Sequence, residues 1–288
     1  MERHTRSYLQ LIKPGITLSN TLTALAGFFL AAAFVPFSFL ALVGGVGGTA
    51  FIIASACVVN NVLDRNIDKR MKRTSKREIA KGAINVPSAI VLAVILGLIG
   101  FGIILLWTNL LTFVLGVIAF VWYVVIYGIA KRTTSLSTLI GGVPGALPPV
   151  AGYAALTGSI DAAAIILFLI LFFWQIPHFY AISMFRRDDY AKAGLPVWAV
   201  KFGLKKTKFH ILLSAILFAL TVPLLSIYGY TGFIYVVLST ALAVFWVVKG
   251  IQLYKMDDDI KWARTMFGIS LIVLLSMCLL IAIGGYLP

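Results

Sequence analysis

The chain has 288 residues, of which 61% are hydrophobic and 12% charged, and its mean hydropathy is +1.01. Soluble domains carry about 25% charged residues, so this composition excludes one and points to an all-α integral membrane protein. The formal net charge of +14 would suit nucleic acid, but the placement of the cations along the chain excludes that partner and favours a lipid bilayer.

The opening Met1-Glu2-Arg3-His4-Thr5-Arg6 precedes an apolar run longer than a signal-peptide core, and that run reads as a retained first helix. The absence of an Arg/Ser-rich transit segment leads us to expect a bacterial or archaeal cell membrane. Apolar runs predict nine transmembrane spans, at 14–34, 38–62, 86–107, 110–130, 137–157, 161–185, 208–229, 231–252 and 264–286, in a single domain over 1–288. All 24 Lys and Arg fall at alternate connections: three through Lys13, eight in 64–85, two in 131–136, seven in 186–208 and four in 249–264. The turns between them, near Pro36, 107–109, 157–161 and 228–232, hold none. The positive-inside rule then puts the N-terminus and every basic segment in the cytoplasm and the C-terminus outside.

At the exit of the second span, Asn60, Asp64 and Asp68 recur every four residues. On a helix they share one face, about 6 Å apart along the axis, and make a column of hard oxygen groups. Such a column suits Mg²⁺, which binds through one or two carboxylates plus substrate phosphates. Lys69, Arg70, Lys72, Arg73, Lys76 and Arg77 follow at once. Acids beside cations form ion pairs at any solvated helix end, yet a metal-bridged diphosphate needs both: acids for the metal and guanidinium groups for the remaining anionic oxygens. The fourth span ends in Tyr123, Tyr127, Lys131 and Arg132, at the same level.

The fifth span carries Pro144, Pro148 and Pro149 within Gly141–Tyr153. Prolines break the helical hydrogen-bond ladder, so this helix is either the kinked wall of an internal chamber or a kink that serves packing. In the sixth span Pro177 directly precedes His178, a core histidine or a ligand, and Asp188, Asp189 and Tyr190 follow at the basic end. The sign-alternating stretch Lys255-Met256-Asp257-Asp258-Asp259-Ile260-Lys261 reads as a solvated turn. Cys57 and Cys278 lie far apart inside apolar runs and read as buried small hydrophobes.

Asn60-x-x-x-Asp64-x-x-x-Asp68 resembles the first aspartate-rich motif of the UbiA superfamily of intramembrane prenyltransferases. The longer string from Asn61 through Asp64, Arg65, Asp68, Met71, Arg73 and Thr74 to Arg77 is similar to its haem O synthase branch. So are Lys13-Pro14-Gly15, the stretch 145–153, Trp174-Gln175-Ile176-Pro177-His178, and Asp189-Tyr190 with Gly194 and Pro196. The resemblance covers nearly the whole chain in the expected order. It implies a nine-helix bundle around a central chamber and transfer of farnesyl from farnesyl diphosphate to a vinyl group of haem B. It also implies that Asn60, Asp64, Asp68 and Asp189 hold Mg²⁺. Arg73, Arg77, Lys131 and Arg132 would take the diphosphate, with Tyr127, Tyr190 and His178 contacting substrates and His178 the haem. Many superfamily members carry a second acidic pair four residues apart. Here Met184 and Phe185 stand four before Asp188 and Asp189, so a symmetric second column is not expected. A terminal oxidase or haem A synthase would be a pathway partner. The rivals are an enzyme of the same superfamily acting on an aromatic or quinone precursor, a cation transporter, and a carrier with haem between His178 and His210.

Overall fold

The structure, a computed structural model, describes residues 2–288, with side chains from residue 7 onward. A first helix, α1 (Glu2–Leu11), leads through Lys13 into α2 (Pro14–Ala32). The long segments that follow are α3 (Phe39–Asp68), α4 (Val86–Trp107), α5 (Leu110–Thr133), α6 (Ser137–Thr157) and α7 (Ala162–Phe185). After a short α8 (Arg187–Lys192) come α9 (Trp198–Ile227), α10 (Phe233–Gln252) and α11 (Asp259–Gly284). Among the described residues, the nine segments other than α1 and α8 are long and apolar enough to cross a membrane.

These spans match the expected nine in number and order, and differ at three basic ends. The second span runs to Asp68 rather than 62, the seventh starts at Trp198 rather than 208, and the ninth at Asp259 rather than 264. At these ends the helix continues into charged sequence, where Asp64, Asp68, Lys208 and Asp259 are held in ion pairs. In α9, Gly203 has φ 81°, a left-handed kink that separates Trp198–Phe202 from the rest of the helix. The buried Lys208 ammonium then lies 2.8 Å from Asp259 and over the Tyr254 and Trp262 rings, tying α9 to the start of α11. The acidic stretch is thus a turn up to Asp258, which caps α11 by accepting from Ile260 and Lys261 N–H, whereas Asp259 is already helical.

The bundle closes into a ring because α11 packs on α2, α2 on α6, α6 on α7, and α7 on α9 and α11. Small residues permit the tightest crossing. A side chain at Gly27 would meet the Pro149 carbonyl, and one at Gly152 the Ala24 carbonyl, so α2 and α6 touch backbone to backbone. Leu98, Leu106, Leu110, Leu220 and Phe233 point outward, as they do where lipid is the surrounding solvent.

Two long basic connections cover one end of the ring. In the first, 69–85, Ile79 and Ile84 pack against Leu11, Val58 and Ala89. The second meets the first where Met71 packs with Ala193, Leu195 and Val197. Beneath them lies a cavity of about 430 Å³, walled chiefly by α2, α3, α5, α6 and α7.

Candidate active site

The cavity is polar at its basic end and apolar further in. Asn60, Asp64 and Asp68 are all buried on α3 and all line it, as the four-residue spacing predicts. Buried carboxylates need partners, and each has cationic ones. Lys131 Nζ lies 2.6 Å from Asp64 Oδ2, and Arg132 Nη2 lies 3.2 Å from Oδ1 while also donating to the Leu63 carbonyl. Arg77 Nη1 donates to both Asp68 oxygens at 2.9 Å. Asn60 Oδ1 accepts from Lys13 Nζ at 2.7 Å.

Lys13 was not expected among the site residues. Its backbone is left-handed, with φ 49° and ψ 71°, among the described residues the only non-glycine at positive φ. That turn, set just before the Pro14 that opens α2, aims the ammonium into the cavity. Burial pulls the Lys13 pKa down to about 8, only partly opposed by Cys57 and Asp64. An ammonium held at such cost is stabilised by any anion that enters beside it. The sequence signal was present in Lys13-Pro14-Gly15, but nothing local shows that it reaches Asn60.

Arg73, Arg77, Tyr127, Lys131 and Tyr190 also line the cavity. Tyr127 stacks on Tyr123 with centroids 5.6 Å apart, and Lys131 lies over the Tyr127 ring. Arg132 is exposed and reaches the site only through Asp64. Asp189 stands differently: on the first turn of α8, half-buried, and outside the residues that line the cavity. Its neighbour Tyr190 faces the chamber in its place. Asp188 is exposed, and neither aspartate forms an ion pair among the described residues.

The proline-rich α6 is at once wall and packing element. Gly141, Pro144, Gly145 and Pro148 line the cavity while Pro149 and Gly152 meet α2. Pro144 cannot donate to the Ile140 carbonyl, and the Trp122 indole donates to it instead at 2.9 Å. Gln175 Nε2 donates to the Gly142 carbonyl at 2.7 Å and fixes α7 against this wall.

His178 lines the cavity from α7, stacked on Trp174. His210 does not line it; that ring packs against Trp198 instead. Cys57 is buried in the cavity wall and Cys278 partly buried, both as free thiols.

The donor set can be tested against a divalent metal. Two carboxylates and an amide oxygen on one helix face are hard ligands of the right type, and their present partners are cations that an anion could draw away. Among the described residues no three acidic, His or Cys side chains converge as a complete site. The residues therefore fit a metal whose remaining positions are filled by substrate oxygens and water.

The sequence model of the UbiA prenyltransferase family matches residues 20–276. The chain belongs to this family. It is 42% identical over 267 residues to a protohaem IX farnesyltransferase of Protochlamydia amoebophila, covering 93% of this chain and 94% of the relative. It is 40% identical over 284 residues to the Citrobacter koseri enzyme of the same name, covering 98% and 96%. Among solved folds, a digeranylgeranylglyceryl phosphate synthase superposes with a TM-score of 0.81 at 19% identity over 99% of both chains. A UbiA homologue from Archaeoglobus fulgidus, bound to GPP and Mg²⁺, gives 0.67 at 16% identity over 96% of this chain and 99% of its own. The last two likenesses show a shared fold.

Proposed function

We propose that this single-domain membrane enzyme transfers a farnesyl group from farnesyl diphosphate to a vinyl group of haem B, giving the hydroxyethylfarnesyl chain of haem O. The basic end of the bundle faces the cytoplasm of a bacterial or archaeal cell, and the product passes to a haem A synthase or terminal oxidase. The carrying observation is the pairing of Asp64 and Asp68 with Lys131, Arg132 and Arg77 at the polar end of an otherwise apolar cavity. The relatives' shared name supplies the donor and the acceptor.

Asn60, Asp64 and Asp68 would hold Mg²⁺. Once bound, the metal supplies Lewis-acid stabilisation of the negative charge on the departing diphosphate. Released from the carboxylates, Lys131, Arg132 and Arg77 turn to the diphosphate oxygens together with Arg73 and Lys13, and stabilise the charge that develops as the allylic C–O bond breaks. Asp189 stands outside the lining, and its neighbour Tyr190 faces the substrate instead. The apolar walls keep competing nucleophiles from the allylic cation. The vinyl π bond supplies the electron pair of the new C–C bond, and the resulting cation, next to the macrocycle, takes a hydroxyl from water as one proton leaves. His178 contacts the haem.

The test is direct. Purified protein with haem B, farnesyl diphosphate and Mg²⁺ should yield haem heavier by one farnesyl group and one hydroxyl. An unchanged haem mass, with prenyl transfer to a phenol, would replace this reading by that of an aromatic prenyltransferase.

A further inference from the structure

Ser270 on α11 holds the two aromatic rings that face it from α7. Its backbone carbonyl accepts from Trp174 Nε1 at 2.9 Å, and its hydroxyl lies 2.7 Å from His178 Nδ1. The Trp174 and His178 rings stack at 4.9 Å, and Phe267 closes on His178 at the same distance. The Ser270 Oγ also lies 2.6 Å from the Phe267 carbonyl.

The hydroxyl has one proton for these two contacts, and a carbonyl can only accept. We assign the proton to the shorter contact, the Phe267 carbonyl, which makes the imidazole the donor at Nδ1 and leaves its lone pair on Nε2. Among the described residues no hydrogen bond reaches Nε2, and His178 lines the cavity.

We propose that Ser270 is a positioning residue that fixes His178 as an Nε2 donor to the iron of the haem acceptor. The inference rests on the haem reading above and adds the atom, the tautomer and the group that sets both. Histidines that ligate metals usually give their other N–H to an acceptor, which locks the ring and makes it a better donor. Here that acceptor is a neutral hydroxyl, itself polarised by its bond to the Phe267 carbonyl. Without it the ring could take the opposite tautomer and turn an N–H, useless as a ligand, toward the iron. An axial bond would hold the porphyrin by its centre and leave the vinyl-bearing edge free for the allylic carbon.

The test compares purified full-length protein with its Ser270→Ala, Ser270→Thr and His178→Ala variants, titrated with haem B and, separately, with farnesyl diphosphate. Ser270→Ala should weaken haem binding about tenfold. It should also raise the reduction potential of the bound haem, because an imidazole without its acceptor is a poorer donor to iron. Ser270→Thr, which keeps the hydroxyl, should restore both, and farnesyl diphosphate affinity should not move. If Ser270→Ala weakens both ligands alike without shifting the potential, the serine only packs α11 on α7 and the proposal fails. It fails as well if Ser270→Ala matches wild type while His178→Ala alters the haem spectrum. A His178→Ala protein with the wild-type haem spectrum would remove iron ligation altogether, while the mass assay above would still report on farnesyl transfer.

Discussion

The two aspartates of the column are held by different hands, and this sets what each substitution should do. Asp64 answers to Lys131 and Arg132 on α5, whereas Asp68 answers to Arg77 on the loop that follows its own helix. Asp64→Asn or Asp68→Asn should lower kcat by at least about 100-fold, the scale of losing transition-state charge stabilisation, and the protein should still run as a folded species in detergent. Turnover near wild type in either variant would remove that residue from the metal site. Lys13 belongs beside them. Lys13→Ala should raise KM for prenyl diphosphate roughly tenfold, since a charge-assisted hydrogen bond contributes about 1.5–3 kcal/mol, and steady-state kinetics would show it. The acidic column was legible because its spacing is local. The part played by Lys13 was not, because it depends on a left-handed backbone and a contact across 47 residues. Ser270, one of two serines in an apolar run, carried no sequence signal at all.

At the scale of elements, apolar runs located every span in its order, but they stopped where the charges began. Lys201, Lys205, Lys206 and Lys208 made the start of α9 read as loop, although the aliphatic stems of lysines can lie along a helix whose head groups reach polar surroundings. The proline-rich α6 left two readings open, and both hold because one face lines the cavity while the other meets α2. The crossing of α2 and α6 yields its own prediction. At Gly152 even a first side-chain carbon would meet the Ala24 carbonyl, which is backbone and cannot swing aside. Gly152→Val should therefore part the two helices that frame the cavity. The expected cost is at or above the usual 1–3 kcal/mol of overpacking, roughly. Thermal unfolding in detergent should show a marked drop in Tm, with substrate protection weakened. Valine at Gly268, where nothing lies within 4 Å, is the control and should leave Tm unchanged.

The whole molecule is polarised. Every Lys and Arg of the chain lies at or beyond the same end of the bundle in the connectivity of the nine spans, and the column opens at that end. On the proposed reading, the charges that set the orientation during insertion would also gather around the diphosphate, making orientation and substrate access one property of the sequence. If the basic end faces the cytoplasm, a water-soluble diphosphate head enters from the side where it is made, while the prenyl tail and the porphyrin reach the apolar interior from the bilayer. Single cysteines test this in a background where Cys57 and Cys278 are replaced by Ala. Cysteine at Lys81 or Lys192 should react with a membrane-impermeant maleimide only in inside-out vesicles. Cysteine at Gly158 or Tyr228 should react in intact cells. The reverse pattern would turn the column outward, and a diphosphate donor made in the cytoplasm would then have to cross the membrane before meeting its metal.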